Sequence, residues 1–152
     1  MNEKQEKYKR DLIAACIKNR QEMANNAKDA MRDIQQQANE YGQPRDRDDS
    51  FRAQLLRKRD LYAEQYQKAL DDITLLEKIN PGIYCKNVSF GAVVVVSGQK
   101  MFVANGMGKL SFENENVFVI SPQVPVYKKI EGLEKGDEYE LNGRKMKIQD
   151  LF

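Results

Sequence analysis

The chain has 152 residues, 32% of them charged and 41% hydrophobic, enough to bury a core and remain well solvated. Its net charge of +2 argues against a dedicated duplex-DNA binder, which carries a clear basic excess. The absence of histidine excludes Ser–His and Cys–His nucleophile activation and histidine-ligated metal, leaving carboxylates, lysines, tyrosines or a borrowed metal ion for any chemistry. Cys16 and Cys85 lie far apart with no CxxC spacing, so neither a structural zinc site nor a disulfide framework is expected. The opening "MNEKQEKYKR" lacks an apolar core and marks no export. The longest apolar run, within "SFGAVVVVSG", is far too short to span a bilayer. A cytoplasmic protein with no membrane partner is the expectation.

Residues 3–41 contain no Gly or Pro and are rich in Ala, Gln, Lys, Glu and Arg, all compatible with a helix. Leu12, Cys16, Met23, Ala27, Ala30, Ile34, Ala38 and Tyr41, with Asn19 filling one gap, recur in steps of three and four. That is the seam of a coiled coil. Gly42 and then Pro44 end this helix. A second helical stretch runs from about Asp49 to Ile79, with Phe51, Leu55, Tyr62, Tyr66, Ala69, Ile73 and Leu76 on its seam and Arg59 interrupting it. Asp48, Asp49 or Ser50 can cap its start, and "NPG" at 80–82 ends it. Two long helices with matching seams and one short break predict an antiparallel hairpin, more simply than a parallel dimeric rod. At ~1.5 Å per residue each arm reaches about 45–57 Å.

From Tyr84 the period changes to two. "NVSFGAVVVVSG", "KMFVANG", "GKLSF" and "NVFVIS" are short β-branched or aromatic runs separated by Gly, Asn and Ser. "VPVYKKI" predicts two helical turns with Pro125 near the first position. "DEYELNGRKMKIQDLF" predicts a hairpin turning at Asn142–Gly143 in a type I′ turn. The expected fold is α+β: an N-terminal antiparallel two-helix coiled-coil hairpin over 1–80, its tip at about 42–50, then a small antiparallel β-sheet domain with one short helix over 83–152.

The stretch "ISPQVPVYKKIEGLEKGDE" resembles the C-terminal signature of the bacterial Gre transcript-cleavage factors through Ile120, Ser121, Pro125, Gly132, Gly136, Asp137 and Glu138. "VSFG" at 88–91 is similar to the motif that opens the same domain in that family. The order of a helical hairpin and then a sheet domain also agrees, so the resemblance implies an FKBP-like C-terminal domain. Read without the family, Gly132 and Gly136 are turn glycines and Asp137 bonds local backbone amides.

The resemblance further implies a monomeric partner of RNA polymerase that docks at the mouth of its secondary channel, the expected docking surface here being Ser121, Pro125, Lys128 and Lys129. Acidic residues at the hairpin tip then help hold a Mg²⁺ that belongs to the polymerase and is not bound stably by the factor alone. The polymerase cleaves backtracked RNA; the factor is not an enzyme by itself. The candidate tip carboxylates are Asp46 and Asp49, three apart and so on one face of a helical or tightly turned tip, with Asp48 in reserve. Hard carboxylate oxygens suit Mg²⁺, which takes one or two of them beside water and phosphate. Arg45, Arg47 and Arg52 are candidates for contact with the RNA 3′ end or the channel wall, a positioning role that reads no DNA sequence.

The tip departs from the family pattern. Gly42 and Phe51 can be set against the family's Gly and Tyr, but the residues between do not match, and Arg45 and Arg47 interleave with the aspartates. "RDRDD" therefore reads also as a solvated helix cap. Three further functions stay open: a channel-binding regulator without cleavage stimulation, a coiled-coil interaction module, and a prolyl isomerase.

Overall fold

A computed structural model describes residues 1–42 and 50–152 and is α+β. The described residues form two compact units, Met1–Cys16 with Leu75–Phe152, and Ile17–Thr74.

The second unit is a helical hairpin made by most of α1 (Glu3–Tyr41) and α2 (Ser50–Glu77). Its direction follows from three cross-helix pairs. Arg20 meets Asp72 at 3.5 Å, Arg59 donates to Gln35 at 2.6 Å, and the rings of Tyr41 and Phe51 lie 5.0 Å apart. As the α1 partner advances the α2 partner recedes, so the helices are antiparallel, as expected. The predicted seam is present with corrections: Tyr41 and Phe51 at its end are exposed, and Asp72 of α2 is buried. Asn19 is exposed, and Arg20 turns inward in its place because the buried line steps from Cys16 to Arg20 to Ala24. Arg59 stays within the α2 seam, where Gln35 accepts its guanidinium hydrogen.

The first unit is built on six strands: β1 (Val93–Val96), β2 (Gln99–Val103), β3 (Gly108–Phe112), β4 (Glu115–Ile120), β5 (Glu138–Leu141) and β6 (Arg144–Leu151), with α3 (Pro125–Ile130) between β4 and β5. Their order across the sheet is β3-β4-β2-β1-β6-β5. The sheet is mixed, which corrects the antiparallel expectation: β2 and β4 run parallel, Lys100 opposite Val117 and Val103 opposite Ile120. The chain leaves β2 through 104–107 and lays down β3 one strand-width away. The β3–β4 hairpin then returns β4 into the gap, where it must point the same way as β2.

The first predicted strand also begins later than expected. Residues 89–92 form a turn, with Ala92 donating to the Ser89 carbonyl and Gly91 at φ +91°. The β5–β6 turn is as predicted, with Asn142 and Gly143 at φ 50° and 78°. Ser97–Gly98 and Glu113–Asn114 make two more positive-φ hairpin turns, the latter without any glycine.

β1 is buried on both faces, which is why it reads as an unbroken run of valines instead of alternating. One face, with Val94, Val96, Val103 and Ile148, packs on Tyr127 and Ile130 of α3. On the other, Tyr8 of α1 stands edge-on to Phe112 at 5.2 Å and to Phe152 at 6.1 Å, under the Lys100 ammonium at 4.6 Å. Each large apolar side chain buried in this way contributes about 1.5–3 kcal/mol of transfer free energy.

Candidate functional site

The two groups of predicted site residues fall in different parts of the chain. At the hairpin end, the last turn of α1 closes on Gly42, whose amide donates to the Ala38 carbonyl at 3.2 Å with φ at +85°. This is the left-handed stop that glycine allows without steric cost. Tyr41 and Phe51 bring the two helix ends together, and both stay substantially exposed, at 43% and 53%. Asp46, Asp48, Asp49, Arg45 and Arg47 lie outside the described residues. Arg52 is in the first turn of α2 and half-buried. Among the described residues no group of three or more Cys, Asp or Glu side chains is close enough to hold a metal ion.

The second group surrounds α3. Ser121 Oγ accepts the Gln123 amide hydrogen at 3.3 Å, a local turn that leads into the helix. Pro125 starts α3, where its missing N–H costs nothing and its φ is already helical. Lys128 and Lys129 fill the last turn, where their charge opposes the carbonyl end of the helix. Pro125, Lys128 and Lys129 are exposed and Ser121 is half-buried. Lys129 is partly committed, since its Nζ donates to the Glu140 carbonyl of β5 at 3.3 Å.

The rest of the signature is structural. Gly132, at φ +78°, donates to the Val88 carbonyl at 2.9 Å, and Val88 donates to Leu133 at 2.8 Å. Gly136, at φ +92°, donates to Ile148 at 2.8 Å. Asp137 accepts the Glu134 amide hydrogen at 2.8 Å, the backbone role expected of it. These residues hold the segment after α3 against the sheet and present no reactive group.

Sequence reading missed two features of this unit. The first is an apolar groove of about 390 Å³ beside α3, lined by Met101, Phe118, Ile120, Val126, Tyr139 and Met146 among others. Burial pushes the Tyr139 hydroxyl above its usual pKa there. The registers Met101 opposite Phe118 and Tyr139 opposite Met146 put these side chains on one face, which only strand pairing reveals. The second is Lys9, wholly buried, whose Nζ donates to the Ile83 carbonyl at 3.1 Å and to Cys85 Sγ at 3.6 Å. A signal for it existed, because one step of three back from Leu12 lands on Lys9.

No family model, curated protein or solved structure matches this chain. The Gre resemblance therefore rests on the quoted motifs, and these coincide with the turn and cap residues just described.

Proposed function

We propose that the chain is a Gre-like accessory factor that binds bacterial RNA polymerase through its secondary channel and promotes cleavage of backtracked RNA by the polymerase. The observation that carries this reading is the antiparallel hairpin itself. Ile17–Tyr41 and Ser50–Thr74, at ~1.5 Å per residue, make two rods about 37 Å long, and the sequence that links them, residues 42–49, carries Asp46, Asp48 and Asp49. A narrow rod of that length can carry side chains into a channel that a globular domain cannot enter.

In this reading the sheet unit is an FKBP-like docking module that meets the polymerase through the Ser121, Pro125, Lys128 and Lys129 region. Asp46 and Asp49, with Asp48 in reserve, lend carboxylate oxygens in the polymerase active centre, and Arg45, Arg47 and Arg52 steady RNA phosphate or the channel wall. The Mg²⁺ belongs to the polymerase and supplies activation of the attacking water. The factor acts as a monomer, in the cytoplasm, and does not cleave RNA alone. Among the described residues, no helix is long and apolar enough to cross a membrane.

A second reading, a channel-binding regulator without cleavage stimulation, is favoured by Arg45 and Arg47, which can pair with the aspartates and mask them. A coiled-coil interaction module has less support, because the seams of α1 and α2 are already used against each other.

The test is transcript cleavage on a stalled, backtracked elongation complex in Mg²⁺, with and without the protein. Faster release of short 3′ fragments supports the cleavage factor. Competition with a channel-binding cleavage factor, without stimulation, supports the regulator. Neither effect sinks both.

A further inference from the structure

Lys9 heads the fully buried side chains of the described residues, yet it makes no ion pair with a carboxylate among them. A buried ammonium is expensive unless paired, so an unpaired one asks for a reason. Its nearest polar neighbours are the Ile83 carbonyl, at 3.1 Å, and Cys85 Sγ, at 3.6 Å. Burial holds the Lys9 ammonium below its usual pKa range, and Cys85 acts in the opposite direction. Cys85 itself is only half-buried and is a free thiol. A primary amine enclosed in the protein thus touches the sulfur of a free, half-buried cysteine.

We propose that Lys9 and Cys85 form a covalent modification site: a hydroperoxide oxidises Cys85 to the sulfenic acid, and Lys9 displaces the hydroxyl to close an Nζ–Sγ sulfenamide bond. In the first step the sulfur attacks one peroxide oxygen. The O–O bond breaks and an S–O bond forms; the sulfur is oxidised by two electrons. The peroxide is reduced, its second oxygen leaving with the thiol proton as water or an alcohol. In the second step the neutral Nζ lone pair attacks the sulfur. The S–O bond breaks, and the hydroxyl leaves with one Nζ proton as water, with no further oxidant consumed. Sulfenic acids condense with nitrogen in this way when one is held against them. An amine is a far stronger nucleophile than the neighbouring peptide nitrogens, so geometry and reactivity select the same atom.

The bond would join α1 to the 83–85 segment across 76 positions of sequence, with both of its ends in the same unit.

The experiment treats the reduced full chain with a few equivalents of hydrogen peroxide, then reads intact mass and the tandem spectra of a non-reduced digest. The expected product is about 2 Da lighter than the starting chain, with the Lys9 peptide joined to the Cys85 peptide, and dithiothreitol restores the original mass. Cys85→Ser, which keeps an acceptor for Lys9, should give no such species. Gains of about 16 or 32 Da on Cys85 with no joined peptides overturn the proposal. So does the same mass loss arising from a Cys16–Cys85 disulfide, or a joined product heavier by about 14 Da, which would carry an oxygen between nitrogen and sulfur.

Discussion

Replacing Asp72 by Ala removes the carboxylate that faces Arg20 inside the helical hairpin. Both groups are largely out of water, with side-chain exposures of 13% for Arg20 and 9% for Asp72, and they stand 3.5 Å apart. At an effective dielectric of ~20 the gross attraction at that distance is about 5 kcal/mol. Desolvation of the two ions takes back most of it, so the intact pair adds little net stability. The single substitution is different, because the guanidinium stays buried and loses its counter-charge. The expected loss is about 3 kcal/mol. For a chain of this size that lowers the transition midpoint by about 6–12 °C.

Lys68, whose Nζ lies 3.4 Å from the other Asp72 oxygen, is 60% exposed and simply turns to solvent, so it adds little to the loss. Arg20→Met with Asp72→Leu removes both charges at similar volume and should return to within about 1 kcal/mol of the parent. Amide hydrogen exchange across 17–41 and 50–74 is the assay of choice, because it reads this unit alone. If Asp72→Ala costs less than about 0.5 kcal/mol, or the double variant is as unstable as the single, then the pair is not buried in the energetic sense argued here.

Burial, helped by Glu115 and Glu113, pushes the Tyr8 hydroxyl up to about 12, against about 10 in an unfolded chain. The unfolded state therefore releases this proton first as pH rises, and the stability contributed by neutral Tyr8, complete below pH ~10, drains away between about 10 and 12. Tyr8→Phe should lose less stability over that window, and parallel urea titrations at pH 9 and 11 would show whether the difference exists. Gly143→Ala forces a side chain onto a φ of +78° and should cost about 1–2 kcal/mol, readable as a lower urea midpoint, whereas no change would dispute the turn geometry. Asp46→Ala with Asp49→Ala should abolish cleavage stimulation and leave polymerase binding intact; normal stimulation would refute that assignment. Lys128→Glu should weaken binding to the polymerase, with Lys129 avoided because it also ties α3 to β5, and unchanged affinity would refute the patch.

Much of the architecture was legible because its causes are local. Gly42 stops α1, Pro125 starts α3, and Asn142–Gly143 turns the last hairpin through backbone preferences that belong to single residues. The helical seams were legible because burial on a helix repeats every three or four residues. Two local errors show the limit of that reading. Steps of three and four place Asn19 in the seam, although its neighbour Arg20 is the residue that finds a partner on α2. Val88–Gly91 reads as strand from its β-branched and aromatic residues, although Gly91 has a positive φ and lies inside the turn that Ser89 and Ala92 close. The candidate tip residues Asp46, Asp48 and Asp49 lie outside the described residues, while Pro125, Lys128 and Lys129 are exposed and Ser121 is half-buried.

By itself, then, the sequence determined the elements, their boundaries to within a few residues and the hairpin's folding back, since propensity, period and stop signals act within a few residues of chain. Only the tertiary structure decided what depends on residues far apart meeting. The parallel pairing of β2 with β4 follows from which strand fills a gap. The groove beside α3 follows from strand register. The burial of Lys9 against Cys85 follows from 76 positions of chain closing on one another. No local propensity encodes such encounters, because a lysine in "EKYKR" has the same intrinsic preferences whether water or a thiol awaits it.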